Sequence, residues 1–157
     1  MDTVEYAGFW KRFFAAIVDN VLIFVVGGII AVFFGAVFGV LTGSVVGAVF
    51  REGFFLPTFF STLFFFVAAF YILIRWFYFA VMESSSYQAT FGKQLLSIKV
   101  TDMEGMRISF WKATIRYFAK ILSELIFYIG YIMIGFTPKK QGLHDMIAGC
   151  LVIVDRK

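Results

Sequence analysis

The chain has 157 residues, of which 61% are hydrophobic, 21% are aromatic and only 15% are charged, and its mean hydropathy is +0.89. A soluble domain is nearer half apolar and a quarter charged, and a domain of this size leaves too much surface exposed to hide the excess. The composition therefore excludes an ordinary soluble domain and predicts an integral membrane protein. The net charge of +4 does not indicate nucleic-acid binding, because almost all Lys and Arg residues flank apolar segments, as the positive-inside rule describes.

The first apolar segment covers residues 13–50 and contains a single charge, Asp19. It would be roughly 57 Å long as one helix, whereas about 20 residues span a hydrocarbon core. We therefore predict a membrane helix over about 9–34 and a glycine-rich bend over 35–56, with a short helix on the far side of the membrane as the alternative for residues 35–50. The segment is also far longer than the apolar part of a cleaved signal peptide. Small residues recur at every fourth position, which predicts close helix packing: Gly27, Ala31, Gly35, Gly39, Gly43 and Gly47.

The second apolar segment is interrupted only by Arg75 and predicts a membrane helix over 57–82. A cytoplasmic N-terminus lets the first helix leave and the second return, so that the basic segment after it is cytoplasmic. In this arrangement Asp19 and Arg75 lie at matched depths, as do Arg12 and Glu83. The sequence therefore predicts two cross-helix ion pairs, Asp19–Arg75 and Arg12–Glu83.

Residues 95–109 do not have a helical pattern. Apolar and polar side chains alternate on both sides of a turn in which Gly105 is expected at positive φ, and this predicts a β-hairpin. The tail at 149–155 is rich in β-branched residues and is expected to add a third strand, because an isolated hairpin is marginal in water. Such pairing requires the hairpin and the tail to lie on one side of the membrane.

The third segment, 110–136, begins with an amphipathic pattern in which Arg116, Lys120 and Glu124 lie on related helical turns. We predict an interfacial helix that runs into a re-entrant hairpin, and a full third crossing stays open. The expected fold class is an all-α integral membrane protein. It has two transmembrane helices, a third amphipathic segment that is re-entrant or transmembrane, and a small cytoplasmic β-hairpin or three-stranded element.

Charged residues inside the membrane are candidates for function by default, because they are costly to bury in lipid. Asp19 can be a structural partner of a basic side chain or a site for a proton or cation. The only histidine is His144 and the only cysteine is Cys150, and no nucleophile lies beside a base in the sequence. We therefore expect neither catalysis nor a metal or other cofactor.

Three motifs in this order resemble the RDD family of membrane proteins, and the resemblance extends over essentially the whole chain. They are Gly-Phe-Trp-Lys-Arg-Phe at 8–13 followed by Asp19, Gln-Ala-Thr-Phe-Gly-Lys at 88–93, and Gln-Gly-Leu-His-Asp at 141–145. The family is named for one arginine and two aspartates, and the resemblance assigns these to Arg12, Asp19 and Asp145. Phe91 stands where relatives often have proline, a departure that affects loop shape only. For the family, transport of ions or small ligands has been proposed, and other relatives look like accessory subunits.

The leading hypothesis is a bacterial inner-membrane protein in which Arg12 is a cation shared by Asp19 and Asp145, and which transports an ion or small solute. The alternative is a membrane adaptor or regulatory subunit of a larger complex. Expected partners are the bilayer with its anionic lipids and either a second copy or another membrane protein, with no nucleic acid. Supporting residues of the predicted cluster are Arg75, Glu83, Asn20, His144, Gln141, Gly142, Gly92 and Lys93.

Overall fold

The computed structural model describes residues 4–49, 55–127 and 129–155, with the backbone alone at residues 31, 34–49, 55–60, 62 and 63. Helices predominate, and two short strands form one sheet. In chain order the elements are α1 (Phe9–Val49), α2 (Phe55–Ser84), α3 (Phe91–Leu95), β1 (Ile98–Asp102), α4 (Phe110–Leu125), α5 (Ile129–Ile132), a 3₁₀ turn (Met133–Gly135), α6 (Leu143–Ala148) and β2 (Cys150–Val154).

Helix α1 contains a window, Phe9–Ile30, that is long and apolar enough to span a membrane. The helix continues to Val49, so the predicted bend at 35–56 is wrong for residues 35–49, and residues 50–54 lie outside the described part of the chain. Glycine is tolerated in membrane helices, because lipid offers no alternative partners for the backbone amides. A Cβ atom at Gly27 would lie 3.9 Å from Cδ2 of Tyr71, an ordinary van der Waals distance. The other positions of the predicted packing row, Ala31, Gly35, Gly39, Gly43 and Gly47, lie outside the described side chains.

Helix α2 confirms the second predicted membrane helix within two residues at either end, and its candidate span is Phe64–Ser84. Large apolar side chains remain exposed along both spans, for example Phe24, Phe64 and Phe66. An apolar surface of this extent is expected to meet lipid. Among the described residues these are the two helices that pass the length and hydropathy requirement by themselves.

The described chain forms two compact units. One unit is Val21–Arg75, which contains most of α1 and the first two thirds of α2. The other unit contains the chain up to Asn20 and everything from Trp76 onward, and all polar residues of the predicted signature lie in it. Its core is made of small and β-branched side chains that include Ala15, Ala80, Val100 and Val152.

The sheet is antiparallel and two-stranded, with Ile98 opposite Val154 and Asp102 opposite Cys150. The predicted 95–109 hairpin is wrong in its second strand, because β1 pairs with the tail and residues 106–109 are not a strand. The turn itself is as predicted, with Gly105 at φ +83°. The tail strand is confirmed, but the predicted three-stranded element is not, since the sheet among the described residues has two strands. A separate isolated bridge joins Tyr6 to Ile153. Buried Val and Ile on both strands explain the preference for the tail.

The third segment is a bent pair of helices, with α4 and the α5–3₁₀ piece at 115° to each other. Helix α4 packs along the last turns of α2: the Trp76 and Phe110 rings are 5.9 Å apart, and Trp76 Nε1 donates to Thr114 Oγ1 at 3.3 Å. The opposite face of α4 exposes an apolar stripe. This stripe consists of Trp111, Ile115, Phe118, Leu122 and Leu125. The bend fits either a re-entrant loop or a broken span, so the third crossing stays a prediction.

Candidate functional site: a buried ion network

Asp145, in the first turn of α6, lies at the centre of the polar residues and is fully buried. Its Oδ2 accepts hydrogen bonds from Arg12 Nη1 and from the Gly142 backbone amide at 3.1 Å, and its Oδ1 accepts one from Arg116 Nε at 2.8 Å. The bond from Gly142 caps the start of α6. Burial alone would raise the pKa of Asp145, but the two guanidinium groups overcome this and hold that pKa below its usual range.

Arg116 joins the two acidic side chains of the site, because its Nη1 donates to Glu83 Oε2 at 2.7 Å while its Nε holds Asp145. The other oxygen of Glu83, Oε1, pairs with Lys93, and Lys120 Nζ lies 3.7 Å from the same oxygen. Burial lowers the pKa of Lys93, and the Glu83 carboxylate opposes that shift. We call this set the ion network, and its members are Arg12, Glu83, Lys93, Arg116, Lys120 and Asp145.

Arg12 ties the start of α1 to two other parts of the chain. Beside its ion pair with Asp145, its Nε donates to the carbonyl oxygen of Ala7 at 3.0 Å and its Nη2 to that of Lys140 at 2.5 Å. The planar guanidinium with its fixed fork of donors suits such a junction, which a lysine could not reproduce. The predicted Arg12–Glu83 pair is wrong, since each has its ion pair with another residue of the network.

Asp19 lies outside the ion network and is held by neutral donors. Its Oδ1 accepts hydrogen bonds from the Tyr78 hydroxyl and the Gly92 amide, both at 2.8 Å, and its Oδ2 accepts one from the Thr90 hydroxyl at 2.5 Å. The prediction that Arg12 is shared by Asp19 and Asp145 is therefore wrong for Asp19. Arg75 belongs to the other compact unit, and its pairing with Asp19 stays a prediction.

Gly92, in the first turn of α3, allows the loop of residues 90–92 that opens this helix to approach α1 closely. A Cβ atom at this position would lie 2.1 Å from the backbone oxygen of Ala15 and 3.1 Å from Cγ of Asp19. Only glycine fits such an approach of backbone to backbone. The Gly-Lys pair of the second motif thus has two structural roles, since Gly92 seats the loop on Asp19 and Lys93 reaches Glu83.

The remaining residues of the predicted site surround Asp145 or lie apart from it. His144 is buried, with its Nδ1 3.5 Å from Ser123 Oγ, and burial lowers its pKa to about 3 although Asp145 acts in the opposite direction. Gln141 Nε2 donates to the carbonyl oxygen of Cys150 at 2.8 Å. Burial raises the pKa of the Cys150 thiol to about 11, so the thiol is protonated at neutral pH. Asn20 is exposed and contributes no described contact to the ion network.

The chemistry available here suits a structural role, in which paired charges hold several segments of the chain together. Buried charges are tolerated only when they are paired and hydrogen-bonded, and the carboxylates of the network meet that condition through residues of α1, α2, α3, α4 and α6. Among described residues, no three His, Cys, Asp or Glu side chains lie close enough together to hold a metal ion. A cleft on the same unit is lined by Ser86, Tyr87, Gln88, Lys99 and Asp155 among others, and none of its lining residues belongs to the network.

Comparison with known proteins supports the resemblance to the RDD family. The sequence model of the RDD family matches residues 6–149, which include all three signature positions. The chain belongs to the RDD family. It is 38% identical over 148 residues to the "Uncharacterized protein YxaI" of Bacillus subtilis (strain 168), covering 94% of this chain and 96% of that protein. It is 28% identical over 156 residues to the "Uncharacterized membrane protein YteJ" of the same organism, covering 98% and 84%. No solved structure matches the chain.

In this RDD protein Arg12 and Asp145 form a direct ion pair, whereas Asp19 binds the backbone and side chain of residues 90–92. The sequence reasoning missed Arg116 as the shared cation and treated it as part of an amphipathic pattern. It also missed Tyr78 and Thr90 as donors to Asp19. One signal was present, because positions 113, 116, 120 and 123 form one helix face on which small or polar residues stand where an apolar core face would be expected.

Proposed function

We propose that this RDD protein is a non-enzymatic membrane adaptor. Its helices anchor it in the bilayer, and the ion network holds a small sheet-bearing module, residues 85–155, against the ends of α1 and α2. The module presents a surface to a partner, either a second copy or another membrane protein. One observation carries the proposal: every carboxylate oxygen of Asp19, Glu83 and Asp145 already accepts a hydrogen bond from the chain.

This saturation favours the adaptor over a transporter. A carboxylate that carries a proton or cation through a membrane must exchange protein ligands for the transported ion. For Asp19 that exchange would break bonds to Tyr78, Thr90 and the Gly92 amide, and an unmade buried hydrogen bond to a charged group costs about 1.5–3 kcal/mol. The arrangement therefore suits a fixed joint.

The sheet supports a topology with both chain termini on one side of the membrane. Strand β2 pairs with β1, and the backbone amides of Ala7 and Val154 donate to the carbonyl oxygens of Val152 and Glu5 at 2.9 and 2.8 Å. Strands that share hydrogen bonds must share a compartment. An even number of crossings then separates residue 7 from β1, and the third segment makes no net crossing. The positive-inside rule favours cytoplasmic termini. The two Bacillus subtilis relatives support the bacterial plasma (inner) membrane as the proposed location.

Reporter fusions test this topology. We expect a reporter fused after Lys112 and a reporter fused after Lys157 both to show a cytoplasmic location, since the α4–α5 pair dips into the membrane and returns. The measurement is the activity ratio of a cytoplasm-specific to an exterior-specific reporter at each position. Opposite locations at the two positions would show that the third segment crosses, and would contradict the shared compartment of β1 and β2.

A flux assay on purified protein in liposomes tests the adaptor against the transporter. We expect wild type, Asp19→Asn and the exposed-site control Glu104→Gln all to pass Na⁺, K⁺ and protons no faster than protein-free liposomes. Flux in wild type and Glu104→Gln that disappears in Asp19→Asn would defeat the adaptor. As the positive arm, a photo-crosslinker at the exposed Tyr87 should give one discrete product in native membranes. The absence of both ion flux and a discrete crosslinked product would also contradict the proposal.

A further inference from the structure

Lys120 is the member of the ion network with the weakest pairing. Its ammonium lies 3.7 Å from Glu83 Oε1, beyond hydrogen-bond distance, and that oxygen is already bound by Lys93. The same ammonium lies 4.4 Å from the centre of the Phe79 ring, and its side chain is 18% exposed. We propose that the surface between α4 and the end of α2 at Lys120 binds the phosphate of an anionic phospholipid. The proposal extends the proposed function and rests on it only in placing the chain in a membrane.

The charge of the network points to an anion. Its cations are Arg12, Lys93, Arg116 and Lys120, whereas its carboxylates are Glu83 and Asp145. Adding Asp19 still leaves four cations for three carboxylates. Glu124, one turn along α4 from Lys120, is exposed and accepts a hydrogen bond from the Tyr131 hydroxyl at 3.4 Å. Lys120 is the cation of the network whose carboxylate neighbour is already hydrogen-bonded to another lysine, so an external anion at this exposed edge would supply the acceptor that the ammonium lacks.

The position of Lys120 along the helices identifies the source of the anion. Phe79 and Glu83, its neighbours, belong to the last two turns of the candidate span Phe64–Ser84. The ammonium is therefore at the level where a membrane helix leaves the hydrocarbon core, which is where lipid phosphates lie. A soluble anion would need to enter this layer from water, whereas a lipid phosphate is already present in it.

The surface beside Lys120 offers one apolar contact for the rest of a lipid molecule. Ile121 follows Lys120 on α4 and is 40% exposed, whereas Phe118 and Leu122 belong to the apolar stripe on the opposite face of the helix. An acyl chain of a lipid held by its phosphate at Lys120 would cover Ile121, which free phosphate would leave bare. A stable lipid contact combines such apolar burial with electrostatic attraction to the headgroup.

Native mass spectrometry of the full chain released from detergent tests the site. The probes are phosphatidylglycerol, phosphatidylcholine of the same acyl chains, and inorganic phosphate. We expect wild type to retain phosphatidylglycerol in preference to phosphatidylcholine, and Lys120→Gln to bind it about fivefold more weakly, the loss expected for one basic residue at an anionic surface. Lys112→Gln, an exposed lysine two turns earlier on α4, is the matched control and should bind like wild type.

A second measurement keeps the test decisive if Lys120→Gln folds poorly. Lys120→Arg preserves the charge and should retain phosphatidylglycerol, and the lipid should raise the thermal midpoint of wild type more than that of Lys120→Gln. Equal retention by wild type and Lys120→Gln would overturn the proposal. So would full displacement of the lipid by millimolar inorganic phosphate, which would indicate a soluble-anion site. Ion flux in the liposome assay would defeat the adaptor while leaving this site untouched.

Discussion

We expect Arg116→Met to lower the free energy of unfolding by about 3–5 kcal/mol, the cost of breaking a buried ion pair by removing one partner. Methionine fills a similar volume but leaves one oxygen of Glu83 and one of Asp145 without their donor, in a place where Arg116 is 2% exposed. Lysine is not a conservative replacement, because a single ammonium cannot reproduce the Nε and Nη1 bonds made to two carboxylates. An unfolding titration in mixed micelles measures the loss.

The same substitution at an exposed arginine controls for charge and composition. Arg107→Met should change stability by no more than about 0.5 kcal/mol, as is usual for surface positions. A double variant that combines Arg116→Met with Asp145→Asn should lose less than the sum of the two single variants, because each single variant already breaks the Arg116–Asp145 ion pair. Equal losses for Arg107→Met and Arg116→Met would contradict the role of Arg116 as the shared cation.

Gly92→Ala is expected to destabilise the protein as severely, by about 3 kcal/mol or more. The new Cβ would lie 2.1 Å from the Ala15 backbone oxygen, so the loop must leave α1, and the Gly92 amide then loses its bond to Asp19. Overpacking costs about 1–3 kcal/mol, and a hydrogen bond to a charged group is worth about 1.5–3 kcal/mol. The yield of folded protein and its thermal midpoint in detergent report the effect.

Gly28→Ala is the matched control, since the same methyl group is added to α1 at a position where a Cβ atom would have no atom of another described residue outside its own helical turns within 4 Å. Alanine has a higher helix propensity than glycine by about 1 kcal/mol, so this variant should be as stable as wild type or slightly more stable. A Gly92→Ala protein with wild-type yield and midpoint would show that the loop does not pack on α1 in solution.

The membrane helices could be predicted from the sequence because their signal is local. A run such as 64–84 needs no partner to be recognised, since lipid forces the backbone to bond within its own segment. The tail strand and the turn at Gly105 could also be predicted, since β-branched residues are typical of strands and glycine is typical of turns with positive φ. The wrong second strand of the hairpin shows the limit: alternation at 106–109 fits a strand, but β1 finds a better-buried partner in β2.

The ion pairs could not be predicted because depth fixes only one coordinate of a side chain. Arg12 and Glu83 were matched by their distance along two helices, but whether they meet also depends on what packs between them. Arg116 and Asp145 occupy that place, and both come from segments far along the chain. For Asp19 the sequence suggested a charged partner, whereas the loop at 90–92 supplies two neutral donors that no spacing rule reveals.

The bond between the Val154 amide and the Glu5 carbonyl, described above as evidence for topology, also orders events during synthesis. Glu5 and Arg12 are synthesised well before their partners Val154 and Asp145, because more than 100 residues separate them along the chain. At roughly 5–20 residues per second that interval lasts several seconds, during which Arg12 lacks its carboxylate partner. The N-terminal part of α1 therefore reaches its final contacts only after Asp145 and β2 have been made, and a product truncated before residue 145 would enter the membrane without this ion pair.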